Sequence, residues 1–189
     1  RDGQTPLADS RKIYNEIRDD IKELFAESGV KYIRNYGGGI DLSWQTVFQT
    51  ESMEKVEEYC AEADIELEWL KNGKLHTEQN RPAIITHPYT GEKIWFNQAH
   101  LFNSYSLPEN IKNDLLQTTD VNALTRNSCF GSGREIPEEF FDNIKNAYDK
   151  HKVMFDWQEG DLLLVDNLLI AHGRNSYVGD RKILVAMIN

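Results

Sequence analysis

The sequence predicts a mainly β fold with helices packed outside it, a barrel or jelly roll, in one domain of 189 residues. Three observations carry that expectation. Short segments rich in β-branched and aromatic residues recur between turns containing Pro and Gly. They crowd toward the C-terminal end, where they follow one another from Lys152 onward. Between the earlier ones lie stretches with apolar residues at helical spacing, which read as supports outside a sheet. At 40% hydrophobic and 11% aromatic residues, the chain can build one sizeable core and is short for two.

In chain order, Asp9 or Ser10 caps a helix whose Ile13, Ile17, Ile21, Leu24 and Phe25 recur at helical spacing, and Gly29 ends it. Val30 to Tyr36 follows as a strand. Gly37-Gly38-Gly39 is a loop rather than a phosphate cradle, since no Gly-Lys-Ser/Thr follows and no helix begins on it. Ser52 to Ala63 is a helix with an acidic outer face, followed by a strand from Ile65 to Leu70. Strands at Pro82 to Thr86 and Lys93 to Asn97 form a hairpin across His87-Pro88-Tyr89-Thr90-Gly91. Pro108 to Leu116 and Pro137 to Lys150 are helices, the second turning Phe140, Phe141, Ile144, Ala147 and Tyr148 inward. Strands at Lys152 to Trp157, Asp161 to Asp166, Leu168 to Ala171 and Lys182 to Ile188 close the chain. Leu162 to Val165 reads as a strand buried on both faces.

A formal net charge of −10 with scattered Lys and Arg excludes a nucleic-acid partner, because binding phosphates needs a basic face that releases counterions. Small anions stay open as ligands, since two arginines in a cleft set the local field whatever the total charge. Cys60 and Cys129 stand far apart and read as reduced, buried thiols. No apolar run approaches the about 20 residues of a membrane span, and the start has no signal-peptide core. A cytoplasmic protein without a membrane partner is expected, with a homo-oligomer compatible. The chain starts without an initiator Met, so a preceding segment is expected.

The most informative run is Gly160-Asp161-Leu162-Leu163-Leu164-Val165-Asp166-Asn167, continuing to His172, Gly173 and Arg174, then Gly179-Asp180-Arg181 before an apolar strand. One histidine arrives at a strand tip and one arginine at the start of the next strand. Non-haem iron needs a neutral imidazole, and a dicarboxylate cosubstrate needs a fixed cation nearby. His172 is also compatible with a purely structural role, because histidines are common at strand ends.

The run resembles the distal end of TauD/TfdA-like dioxygenases, particularly their SyrP-like and clavaminate synthase-like branches. Further blocks agree in order: Gly3-Gln4-Thr5-Pro6, Trp44-Gln45, Leu67-Glu68-Trp69 and Thr90-Gly91-Glu92-Lys93-Ile94-Trp95-Phe96-Asn97. The resemblance implies a distorted double-stranded β-helix, a single oxygenase domain over 1–189, and Fe(II), 2-oxoglutarate and O2 as cofactors. It implies His172 as the distal iron ligand, Arg181 as the partner of the 2-oxoglutarate C5 carboxylate, and Thr5 as a hydroxyl donor to that carboxylate. Arg174 and Asn97 become pocket-lining residues toward cosubstrate or substrate. A solvated rim ion pair for Arg174 and a turn-closing amide for Asn97 stand as the alternatives.

The family's proximal His-x-Asp/Glu pair normally lies upstream of the Gly-Gly-x-Thr turn, and this chain begins inside that turn, with Asp2 where the first Gly is usual. His76-Thr77-Glu78 spells the missing pair, but its neighbours align with a family segment that carries no ligands, so it is expected to be an exposed strand or turn. Gly131-Ser132-Gly133 replaces a usual Gly-Asp-Gly. His87, His100 and His151 read as structural, and Trp95, Phe96 and Phe102 as barrel core. The activity implied is hydroxylation of an unactivated C–H in an amino-acid-derived substrate, free or carrier-tethered, with release of succinate and CO2. A non-catalytic carboxylate binder and a halogenase of the same cofactor class are the alternatives.

Overall fold

The computed structural model of the chain describes residues 3–37, 42–118, 124–180 and 182–187, with backbone alone for 114–118. β1 (Leu7–Asp9), α1 (Ser10–Glu16), α2 (Asp19–Ser28), β2 (Val30–Tyr36), α3 (Trp44–Phe48) and α4 (Met53–Glu62) come first. Next are β3 (Glu66–Leu70), β4 (Lys74–Arg81), β5 (Ile84–Thr86), β6 (Lys93–Trp95) and α5 (Ala99–Phe102). α6 (Glu109–Thr118), β7 (Arg126–Phe130), α7 (Glu138–His151) and β8 (Ile170–His172) follow. The strands form antiparallel sheets: four strands in the order β3-β4-β2-β7, and the pairs β1-β8 and β5-β6. The described architecture is thus mixed helix and strand rather than mainly β.

The helix expected as one piece from Ser10 is two. The backbone turns extended at Ile17 (φ −68°, ψ 138°) and Arg18 (φ −55°, ψ 146°), and the Arg18 N–H goes to Asn143 Oδ1 at 3.2 Å. Asp19 and Asp20 then favour a new helix start, their charges lying at the positive end of the helix dipole. The apolar ridge survives the break, because Ile13, Ile17, Ile21 and Phe25 are all at most 2% exposed. The Phe25 ring sits 5.0 Å from both Trp95 and Phe130, tying α2 to the β5-β6 hairpin and to the central sheet. Gly29 ends α2 at φ +64°, where a Cβ would lie 2.7 Å from the Arg81 carbonyl oxygen, so strand β4 can pass this close only to a glycine.

A second, smaller core gathers Tyr36, Trp44, Val56, Cys60 and Leu75 between α3, α4 and the sheet. Ser52 caps α4 by accepting the Lys55 N–H. Cys60 and Cys129 are free and buried, as expected. Along α7, Phe140, Phe141, Ile144 and Ala147 are buried, and Glu138 and Glu139 occupy the first turn.

Register gives the central sheet two unlike faces. Tyr32 and Arg34 stand opposite Gln79 and Thr77 on β4, and opposite Ser128 and Arg126 on β7. Side chains alternate along a strand, so these share one face with Arg81. Glu66, Glu68 and Glu78 share the other face with Lys31 and His76. The arginines of these strands, Arg34, Arg81 and Arg126, lie on one side of the sheet and the carboxylates, with Lys31, on the other.

The C-terminal region corrects the expectation most. Lys152 to Trp157 contributes only an isolated bridge, Val153 exchanging two 2.8 Å hydrogen bonds with Leu7. Leu162 to Val165, expected as a doubly buried strand, is irregular, with Leu162 94% and Leu164 79% exposed. Residues 182–187 form no strand either, and Leu184 and Val185 lie open. A strand persists only where a neighbour satisfies its backbone and covers its side chains, and no described segment runs alongside these two. Ile188, Gly38 and Gly39 lie outside the described residues.

Candidate active site

β8 is positioned by the turn before it. The Asp166 carboxylate accepts the Leu168 N–H at 2.9 Å, and the Asp166 carbonyl accepts the Ile170 N–H at 2.9 Å. The second oxygen of the Asp166 carboxylate lies 3.1 Å from His87 Nε2. His87 Nδ1 takes the Thr90 N–H at 3.1 Å, which leaves a proton on Nε2 to donate to Asp166. The Leu168 N–H, with help from His87, holds the Asp166 carboxyl below the usual carboxylate range. The buried His87 thus clasps the end of the Gly160–Asn167 run onto the β5-β6 hairpin. β8 emerges from this clasp and pairs with β1, Leu7 standing opposite His172.

His172 is exposed at the tip of β8 and lines a niche of about 210 Å³ together with Asn97, Phe96, Tyr148 and Asn167. Its Nδ1 lies 3.4 Å from the Ile170 carbonyl oxygen, which suits a proton on Nδ1 and leaves the Nε2 lone pair for a metal. Asn97 is buried and committed to the backbone, donating to Ala83 O and accepting the Ala99 N–H, both at 3.1 Å. The structure therefore gives it the turn-closing role and also a place on the niche wall.

Thr5 is buried, and its hydroxyl oxygen accepts the Trp157 indole N–H at 2.8 Å. The hydroxyl hydrogen stays available for an acceptor. Beyond β1 the chain keeps the β8 extension beside it, Gly173 N–H donating to Pro6 O and Asn175 N–H to Gln4 O, each at 3.1 Å. Thr5 is thus held within two residues of the partner of His172. Arg174 is exposed and forms no ion pair among the described residues. Arg181 lies outside the described residues.

His76 and Glu78 are strand residues on the carboxylate-bearing face of the central sheet. His76 is partly buried rather than exposed, with Nδ1 2.7 Å from Asn35 Oδ1, and Glu78 is paired with Lys31 at 2.6 Å. Their side chains are used within the sheet, away from His172. Among the described residues no three His, Cys, Asp or Glu side chains gather as a metal-holding group. His172 presents one imidazole to the niche, and the described residues do not complete a three-ligand group around it.

The sequence reading missed a second concavity of about 1100 Å³ on the cationic face of the sheet. Phe96, Asn97 and Gln98 line both spaces, so the niche and the large cavity share a wall. Tyr32 fixes that wall, its hydroxyl oxygen accepting the Gln98 N–H at 3.0 Å. Phe96 and Phe102, expected as core, line the large cavity, whereas Trp95 is core as expected. The missed signal was the Tyr32-x-Arg34-x-Tyr36 alternation, which puts three large side chains on one face of β2.

The geometry defines two adjoining concave sites of small-molecule size on a helix-flanked antiparallel scaffold. The chain belongs to the taurine catabolism dioxygenase TauD, TfdA family, whose model matches residues 1–187. It is 41% identical over 187 residues to the dapdiamide synthesis protein DdaC of Enterobacter agglomerans, covering 99% of this chain and 57% of that protein. It is 27% identical over 195 residues to a clavaminate synthase-like protein of Arabidopsis thaliana, covering 98% of this chain and 56% of that one. The chain spans a little over half the length of these curated relatives. The resemblance read from the Gly160–Arg174 run is borne out. No helix among the described residues is long and apolar enough to cross a membrane.

Proposed function

We propose that this chain is part of an Fe(II)/2-oxoglutarate-dependent dioxygenase that hydroxylates a small, amino-acid-derived substrate, releasing succinate and CO2. Residues 1–189 belong in this reading to one oxygenase domain of the distorted double-stranded β-helix type. Iron and 2-oxoglutarate supply the activation of O2 and the oxidation of a C–H bond. The observation that carries the reading is the convergence at one end of the β1-β8 ladder: an exposed imidazole over a niche, with a buried hydroxyl two residues from its strand partner.

In this scheme His172 gives one nitrogen ligand, and the remaining ligands come from outside the described residues. Thr5 donates its hydroxyl hydrogen to the distal carboxylate of the cosubstrate, its oxygen being held by Trp157. Arg181 pairs with the same carboxylate, adding a bidentate, charge-assisted contact. Arg174 and Asn97 border the space where cosubstrate and substrate meet. The part that one relative plays in dapdiamide synthesis supports a small-molecule substrate.

The test is succinate formation by the full-length protein with Fe(II), 2-oxoglutarate and a panel of free and carrier-tethered amino acids. His172→Ala is expected to abolish substrate-stimulated succinate and to lower iron retention, and Arg181→Ala to raise the 2-oxoglutarate concentration needed. Full activity and full iron content in His172→Ala would refute the assignment.

A further inference from the structure

Of the four tryptophans, three give their indole N–H to an acceptor within the chain. Trp44 donates to the Gly73 carbonyl at 3.0 Å, Trp69 to Glu57 Oε1 at 2.7 Å and Trp157 to the Thr5 hydroxyl oxygen at 2.8 Å. Trp95 is only 1% exposed, and its indole N–H meets no acceptor among the described residues. A buried donor left in that state costs about 1–3 kcal/mol, and buried polar groups in folded proteins are almost always paired. The indole is not free to swing toward a partner elsewhere. It sits in the main core, with the Phe25 ring packed edge-on against it at 5.0 Å.

Trp95 borders the niche beside His172, together with Ser10, Tyr148 and Asn167. At about 210 Å³ the niche exceeds the space of a single water, which takes roughly 30 Å³ in the liquid. It is smaller than a whole small-molecule site, which runs to roughly 300–1,000 Å³. One end of a ligand is therefore the natural occupant. An indole N–H only donates, so that end must bring an acceptor, and an ammonium group brings none. Tyr148 adds a second donor. Burial pushes its pKa up from the ordinary 10, so the hydroxyl keeps its proton.

We propose that Trp95 is a ligand-binding residue: its indole N–H holds an acceptor oxygen, carbonyl or carboxylate, of the small molecule seated beside His172, with the Tyr148 hydroxyl as second donor. Two donors on fixed rings orient that oxygen and reject an ammonium group. An amino-acid-derived ligand is thereby turned so that its acyl end, rather than its amino end, lies in the niche. That this ligand is the molecule oxidised rests on the oxygenase reading above. The demand for an acceptor oxygen does not.

The experiment follows the indole N–H signals of the full-length, nitrogen-labelled protein by NMR, without iron or cosubstrate. The Trp95 signal is the one lost in Trp95→Phe, and its cross-relaxation with the Phe25 ring identifies it even where that variant fails to fold. The probes are acetamide, which brings a carbonyl, acetate, which brings a carboxylate, and methylammonium, which brings only donors. Titration to about 100 mM covers dissociation constants in the millimolar range. The Trp95 proton signal is expected to move downfield and saturate with acetamide or acetate, the tighter of the two naming the kind of oxygen, and to stay in place with methylammonium. Trp44 and Trp69, whose acceptors are already in place, serve as internal controls. Tyr148→Phe should raise the half-saturating concentration about fivefold, the scale of one hydrogen bond of about 1 kcal/mol. No movement of the Trp95 signal with either oxygen probe, as when a bound water alone meets the indole, or equal movement with methylammonium would overturn the proposal. An unchanged half-saturation in Tyr148→Phe would overturn the part given to that hydroxyl. Failure of succinate formation with the Trp95 response intact would sink the oxygenase reading alone.

Discussion

Replacing His100 with Phe should make the fold less sensitive to mild acid. His100 is buried in α5, with its ring stacked 5.0 Å from that of Tyr148 at an interplanar angle of 30°, and its Nδ1 has no hydrogen-bond partner among the described residues. Burial pushes its pKa from the ordinary 6.5 down to about 4, against a weaker opposing pull from Asp149. The unfolded chain therefore binds a proton between those values that the folded one refuses, and stability must fall as pH drops through that window. Between pH 7 and pH 5 this costs about 2 kcal/mol of stability. Phe keeps the aromatic stack and removes the titration. Urea unfolding at the two pH values should show the native protein losing about 2 kcal/mol more than His100→Phe. Equal losses in the two proteins would refute the assignment of this proton uptake to His100.

Two further substitutions test how the site is held. His87→Ala unclasps Asp166 from the β5-β6 hairpin and leaves a void where a side chain only 3% exposed now sits; a loss of about 1–3 kcal/mol in urea unfolding is expected, and a change within error would contradict the clasp. Gly29→Ala forces a Cβ to 2.7 Å from the Arg81 carbonyl at φ +64°, so a destabilisation above about 1 kcal/mol is expected, measurable as a lowered Tm; an unchanged Tm would show that β4 can yield there.

The elements that could be read from sequence are those whose own residues decide them. β2, α4 and α7 carry local periodicity, a cap or a Gly and Pro boundary, and each lies close to where the pattern put it. β4 does not: Lys74 to Arg81 is polar almost throughout, buries only Leu75 and Thr77, and is a strand because β2 and β3 flank it. Leu162 to Val165 is the reverse case, a locally strong strand pattern that nothing described covers. The same division holds in the site. His172 could be singled out because a run of contiguous residues leads to it, and the structure places it at the tip of β8 over the niche. The His87 and Asp166 pair joins positions 79 residues apart, and Arg34 and Arg81 come to one face only through strand register. Contacts of that kind leave no local pattern, whereas Thr5 and His172, singled out by motif, are brought near each other by one short ladder.

The three residues Phe96, Asn97 and Gln98 border both the niche beside His172 and the large cavity. A ligand in either space meets side chains that border the other, and any effect one occupant has on the other's affinity is mutual and equal in free energy.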